Sequence, residues 1–260
     1  MKCKHLSASS IKCFKMCQFK FFCEYELRET MKQTYAADLG SFIHTIFEKI
    51  ARRDMAATEW QDFANERFRG MLPVAATHRD YKKLGVKELT NCIWNDVNYL
   101  VGLVFSRKPS DNPLETGNII DAEKSFRIDI GGGVIIKGFI DLVLSHDDGK
   151  TVEIYDWKTG RWTLSAAEAA NDPQVLMYSL AGRILYPRSK NFVTLDYIRS
   201  EPVRVTPDDA TIEATKRALR HYWFKIRSTD RPERFNTASS VCRNLCSRTR
   251  CNQLWKEHAA

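Results

Sequence analysis

The stretch GFIDLVLSHDDGKTVEIYDWKTG, residues 138–160, decides how this chain folds. Apolar residues fill Ile140 to Leu144 and Val152 to Tyr155, and Asp147-Asp148-Gly149 between them are turn formers, so two strands joined by a tight reversal are expected. Taking Asp148-Gly149 as the centre of a two-residue turn fixes the register and sets Asp141 directly opposite Asp156. Facing side chains share one side of a sheet with Cβ atoms roughly 4.5–5.5 Å apart, where like charges repel unless a cation lies between them. Lys158, two positions beyond Asp156, points to the same side. Two carboxylates and a lysine so arranged suit a hard divalent cation, which polarises a phosphoryl oxygen and acidifies a bound water. Taken alone, the three residues are equally well explained by an edge salt bridge.

Outward from this hairpin, Ala122 to Ile130 reads as a strand that turns through Gly131-Gly132-Gly133 into Val134 to Leu144, giving a three-stranded meander with Thr151 to Lys158. Ser165 and Glu168 form a capping box, and Asp172-Pro173 offers a second helix start before an apolar run to Leu185. Phe192 to Ile198 and Pro202 to Val205 read as further strands, and Asp208 to Arg227 as a basic helix. Ahead of the meander, Ser41 to Arg53, Trp60 to Leu72 and Lys87 to Phe105 carry apolar residues at helical spacing, and Lys108 to Asn118 reads as a connecting loop. The expected fold class is α/β: a mixed central sheet flanked by helices, with an N-terminal helical region over 1–118, a core over 119–230 and a cysteine-rich tail over 231–260 that packs on the N-terminal segment to make one structural unit.

The 260 residues are 43% hydrophobic and 28% charged, with 12 Gly and 8 Pro, which excludes disordered and collagen-like classes. No apolar run approaches the roughly 20 residues of a membrane span. Lysines interrupt the N-terminal apolar residues, so a signal-peptide core is absent and a cytoplasmic location with no membrane partner is expected. A net charge of +8 favours a polyanionic partner. Lys216, Arg217, Arg220, Lys225 and Arg227 interleaved with Tyr222, Trp223 and Phe224 suit phosphate contact and base stacking, although such a helix is also an ordinary solvated face.

Gln174 and Tyr178, four apart, share one helix face, and His44 sits at the edge of an apolar stripe with Glu48 one turn on. In this context the chain resembles the PD-(D/E)xK nuclease superfamily and its RecB-type branch, which includes the nuclease domains of helicase–nuclease recombination machines and the CRISPR-associated iron-sulfur exonucleases. The resemblance rests on Gly40-x-x-x-His44, Gly138-x-x-Asp141, Asp156-x-Lys158-Thr159-Gly160 and Gln174-x-x-x-Tyr178 in that order, and on Phe14-x-x-Cys17 followed by Phe21-Phe22. It implies a restriction-endonuclease-like core in which His44, Asp141, Asp156 and the Trp157 carbonyl bind Mg2+ or Mn2+. It also implies that Lys158 handles the attacking water and that Gln174 and Tyr178 orient the DNA strand. Glu123 is a further candidate for metal or substrate contact.

The eight cysteines lie mostly at the ends: Cys3, Cys13, Cys17 and Cys23 near the start, Cys242, Cys246 and Cys251 near the finish. Clustered thiols in a reducing compartment are metal ligands more often than disulfides. The resemblance implies a [4Fe-4S] cluster on Cys17, Cys242, Cys246 and Cys251, with Cys13 and Cys23 as alternative fourth ligands. The tail spacing and Gln18 depart from the usual motif, and structural zinc or buried thiols remain open. The expected function is a metal-dependent DNA exonuclease acting on single strands or ends, with a helicase or recombination partner. An endonuclease on the same fold and a non-catalytic DNA-end-binding adaptor are the alternatives.

Overall fold

The computed structural model describes residues 1, 3–29, 34–78, 81–116, 118–233 and 251–258. Its centre is one five-stranded sheet in the order β1 (Ile119–Asp129), β2 (Ile135–His146), β3 (Thr151–Lys158), β4 (Lys190–Tyr197) and β5 (Val203–Val205). Neighbours run antiparallel except β3 and β4, which are parallel and therefore need a crossover between them. The mixed α/β architecture is thus the expected one.

The hairpin keeps the expected register with a different turn. Leu142 pairs with Tyr155 and His146 with Thr151, as the sequence reading requires. The reversal, however, spans four residues, Asp147 to Lys150, instead of two. Asp147, Asp148 and Gly149 all take positive φ (50°, 54° and 86°), a region open to glycine and tolerated by aspartate.

Helices cover both faces. On one lie α1 (Ala8–Met16), α8 (Pro173–Leu185) and α9 (Asp209–Arg227), whose Ile11, Val175 and Leu219 join Ile154 and Val193 in one core. On the other, α3 (Tyr35–Ala51), α4 (Trp60–Arg67) and α6 (Val86–Phe105) send Ile43, Phe47, Ala64 and Ile93 against Leu142, Tyr155 and Trp157. The short α2 (Gln18–Phe21), α5 (Leu72–Ala75) and α7 (Ala166–Ala169) complete the helices up to residue 227 among the described residues. The crossover is α7 and α8, with Ser165 and Glu168 in the expected capping box and Asp172 accepting from the Gln174 N–H at the start of α8.

Two helix readings are corrected. Helix α3 begins at Tyr35, six residues before Ser41, because Thr34 caps it by accepting the Ala37 N–H. The expected Trp60–Leu72 helix is broken into α4, a 3-10 turn over Phe68–Met71, and α5, whose first turn holds Pro73. Proline lacks the N–H that a continuous helix needs there, so the chain starts a new one.

One irregularity positions everything that follows. Pairing of β2 with β3 stops at Leu142–Tyr155; beyond it β3 continues along β4 while β2 continues along β1. The edge of β2 left open by this parting is met by Leu6, whose N–H donates to the Ile135 carbonyl and whose carbonyl accepts from the Lys137 N–H, both at 2.8 Å. Core membership changes at the same level. Phe126 and Ile140 belong to the α8 side, Ala122 and Leu142 to the α3 side, although strict alternation would keep all four on one face. The change falls at Glu123, which has φ 48°, and at Asp141 facing it between the pairs Ala122–Leu142 and Lys124–Ile140.

At the far end, α10 (Cys251–His258) packs Leu254 and Trp255 onto Phe19 and Cys23, with the Phe19 and Trp255 rings edge-to-face at 4.9 Å. Among the described residues no helix is long and apolar enough to cross a membrane.

Candidate active site

Asp156, near the end of β3, is only 2% exposed. Its Oδ1 accepts from the Gln174 side-chain amide at 2.8 Å, with the Tyr178 hydroxyl at 3.2 Å. Lys158 Nζ lies 2.5 Å from Oδ2 and donates to Gln174 Oε1 at 2.8 Å. A lysine can only donate and a carboxylate can only accept, so the Gln174 amide has one possible orientation. Gln174 also donates to the Tyr178 oxygen at 2.9 Å, and the Tyr178 proton is shared between Asp156 and the Phe139 carbonyl. The i, i+4 pair on α8 therefore holds the acid and the lysine in place.

Asp141 stands across the parting of the strands. Its Oδ2 accepts the Trp157 N–H at 2.7 Å, taking the place of a ladder bond that β2 no longer makes, and His44 Nδ1 approaches the same oxygen at 3.3 Å. Ligand atoms of His44, Glu123 and Asp141 all lie within 4.8 Å of one another. Trp157 turns its ring away, buried against Phe47 at 4.6 Å and Tyr155 at 4.8 Å, so only its main chain faces the site. The structure thus brings His44, Asp141, Asp156, Trp157, Lys158, Gln174 and Tyr178 together. Asp141 and Asp156 meet by splaying strands and not by facing within a ladder.

Two glycines keep the walls close. A Cβ on Gly40 would come within 3.1 Å of Thr159 Oγ1, so glycine there lets α3, which carries His44, lie close to the loop after β3. A Cβ on Gly138 would strike the Phe126 ring at 2.5 Å; that ring crosses the glycine to pack edge-to-face on Tyr178 at 6.3 Å. The spacings Gly40-x-x-x-His44 and Gly138-x-x-Asp141 have this steric basis.

The electrostatics favour an added cation. Burial and then the charge of Asp141 push Asp156 up to about 6. Burial, Asp141 and Glu48 likewise raise Glu123. For His44 burial acts downward but is outweighed by the hydrogen bond and charge of Asp141, and the net shift is upward. Lys158 is raised against burial by Asp156 and stays an ammonium. Acids driven toward neutrality beside bases driven toward charge mean an excess of negative potential. Asp156 Oδ2 is buried and held by the Lys158 ammonium at 2.5 Å, with Asp141 close enough to raise the proton affinity of the pair's acid. The nitrogen and oxygen ligand atoms of His44, Glu123 and Asp141, gathered within 4.8 Å, fit a divalent ion.

Glu123 is the residue whose importance the sequence marks least. A glutamate at positive φ is strained by roughly 1–3 kcal/mol, and nothing in its neighbours announces that conformation. Of the cysteines, Cys17, Cys23 and Cys251 gather in the cluster that joins α2 to α10, whereas Cys242 and Cys246 lie outside the described residues. Cys13 sits in the core under α1, its thiol pushed upward by burial and Glu24, which disfavours the thiolate a metal needs.

A family model described as the PD-(D/E)XK nuclease superfamily matches residues 5–252. An ATP-dependent helicase/deoxyribonuclease subunit of Streptococcus pyogenes serotype M1 is 24% identical over 199 residues, covering 72% of this chain and 17% of the relative. Its counterpart from serotype M49 (strain NZ131) matches with the same identity and coverage. A crystal structure from Eubacterium rectale, described as a "Putative exonuclease", superposes with a TM-score of 0.54 at 13% identity, covering 92% of this chain and 87% of that one. The chain therefore spans a small part of the length of these helicase/deoxyribonuclease subunits and most of the length of the Eubacterium rectale structure.

Proposed function

The chain belongs to the PD-(D/E)XK nuclease superfamily, and from that premise we propose that it is a Mg2+- or Mn2+-dependent DNA exonuclease acting on single strands or DNA ends. The observation that carries the reading is the convergence of His44, Glu123 and Asp141, whose ligand atoms lie within 4.8 Å of one another, next to the buried Asp156–Lys158 pair. His44, Asp141, Asp156 and the Trp157 carbonyl would hold the ion, with Glu123 beside them. A divalent cation there supplies charge to polarise the scissile phosphoryl oxygen and to acidify a water.

The chain's own residues do the rest. Lys158, kept as an ammonium by Asp156, serves as a donor and not as a general base: it holds the attacking water and balances charge that builds on the phosphoryl oxygens. Gln174 and Tyr178 fix Lys158 and Asp156 and present their outer edges to the strand. The name of the S. pyogenes relatives supports a helicase partner, and the proposed role is in recombination, repair or mobile or viral genome processing. End-labelled linear single-stranded and duplex DNA, beside closed circles, tests the reading. Metal-dependent loss of the linear substrates alone, absent in Lys158→Ala, is expected. Cutting of circles would make the protein an endonuclease, and no cutting at all would leave a non-catalytic DNA-binding protein.

The same reading includes a structural [4Fe-4S] cluster on Cys17, Cys242, Cys246 and Cys251. The packing of Cys17 and Cys251 into one apolar cluster supports it, since a metal there would tie α2 to α10. Broad absorption near about 400 nm in anaerobically prepared protein is the expected signature, lost in Cys251→Ser. Colourless protein containing zinc would replace the cluster with a tetrahedral site.

A further inference from the structure

Two large aromatic rings stand in solvent beside the site. Trp162 is 94% exposed and Phe139 is 51% exposed. Single exposed rings are ordinary on a protein surface, so it is their position on the strands of the site that matters. Trp162 follows Lys158 by four residues on a loop tied at both ends. Arg199 Nε donates to the Thr159 carbonyl at 3.3 Å, and the Leu164 N–H donates to the Tyr197 hydroxyl at 3.0 Å. The fold anchors the loop and still leaves its tryptophan outside. Phe139 lies two residues before Asp141, and its carbonyl accepts the Tyr178 hydroxyl that also reaches Asp156. Each of the two strands that part at the site therefore leads to one exposed ring.

Positive charge accompanies both rings. Lys137 Nζ lies 5.6 Å from the centre of the Phe139 ring, and Arg161 directly precedes Trp162. A groove of about 460 Å³ lined by His5, Ser9, Lys12, Lys137, Phe139 and Tyr178 opens beside the catalytic cluster. Burial, and then the charges of Lys137 and Arg127, hold His5 below its usual range. Aromatic faces interleaved with cations next to a phosphodiester-cleaving centre match a nucleic-acid strand. In a duplex both faces of each base are already covered by its neighbours, and only an unstacked strand offers a base to a protein ring.

We infer that Phe139 and Trp162 are base-stacking platforms that grip a single DNA strand on the two sides of the scissile phosphate. The inference rests on the nuclease reading for the position of that phosphate, and on the exposed rings and their cations for the stacking. Fluorescence anisotropy of a labelled oligothymidylate, titrated with the full chain in Ca2+ or EDTA so that nothing is cut, measures the grip. Trp162→Ala and Phe139→Ala should each weaken binding about 5- to 150-fold, the range that one base-aromatic stack gives. Trp162→Phe, which keeps a ring, should restore most of the affinity. On an oligomer carrying abasic sites the wild type should bind weakly and neither alanine variant should bind more weakly still.

Wild-type affinity in both alanine variants would overturn the inference, as would equal losses on the intact and abasic strands. Failure of the nuclease reading looks different: no cleavage of any substrate, with the ring-dependent and base-dependent binding intact. Cleavage of linear DNA with ring-independent binding would instead remove the platforms and leave the nuclease.

Discussion

Asp156 and Asp196 are buried acids on adjacent parallel strands, one residue out of step, and they face opposite sides of the sheet. Asp196, fully buried, receives both arms of the Arg107 guanidinium at 2.5 and 2.9 Å and the Tyr155 hydroxyl. Every side from which it could be approached is taken by a donor of this chain. Asp156 is nearly as deeply buried, with Gln174 and Tyr178 on its Oδ1 and Lys158 on its Oδ2, but a second acid, Asp141, acts on it as well. The first carboxylate joins the end of α6 to β3 and β4; the second is paired with Lys158 and lies close to the charge of Asp141. Burial of an acid does not separate the two; their neighbours do, an arginine for Asp196 and a second acid beside the lysine for Asp156.

Substitutions can break or sharpen this contrast. Asp156→Asn, nearly the same shape without the charge, should lower DNA cleavage by about 1,000-fold or more, equivalent to about 4 kcal/mol of barrier, while thermal unfolding stays cooperative. Asp196→Asn should do the reverse. It leaves the Arg107 charge without its counterion, so chemical denaturation should show a loss of about 3 kcal/mol, with cleavage per folded molecule retained. Equal effects of the two variants on activity would erase the distinction.

Added Mn2+ or Mg2+ should stabilise wild type by about 2.7 kcal/mol at a hundred times its dissociation constant and leave Asp156→Asn unshifted in the same melt. That gain should shrink as pH falls through about 6, since Asp156 takes up a proton there and a protonated carboxyl is a poor ligand. Above that pH the carboxylate is free to bind, so the metal effect should reach a plateau. The smallest change is expected for Tyr155→Phe, which removes one donor from Asp196 and should cost about 1 kcal/mol of stability without altering metal binding.

Much of the fold was legible because the relevant signals are local. The Asp147-Asp148-Gly149 reversal and the apolar runs beside it define the hairpin register even though the turn is wider than a two-residue loop. Ser165 with Glu168 and Asp172 with Pro173 mark the crossover helices at the residues where they begin. The break in the Trp60–Leu72 reading follows from Pro73, and the early start of α3 from Thr34, both visible once their consequences are weighed.

The candidate site was legible by spacing and only partly by geometry. Gly40, His44, Gly138, Asp141, Asp156, Lys158, Gln174 and Tyr178 carry the pattern, and local periodicity places Gln174 four residues from Tyr178 on one face of α8. The face change at Glu123 is different, since a left-handed glutamate is dictated by the strands around it and not by its own preference. So is the Asp196–Arg107 pair, whose members stand 89 residues apart. Such pairings are set by how the layers close, and no short window of sequence contains them.

The central claim is that Asp141 and Asp156 share a metal ion beside His44 and Glu123. Anomalous diffraction from crystals soaked in Mn2+ tests it most directly. The account predicts one strong peak within bonding distance of Asp156 Oδ2 and of Asp141, beside His44 and Glu123, absent from Asp156→Asn crystals. A protein that takes up no Mn2+ there, or that binds it equally well without the Asp156 carboxylate, would contradict the account.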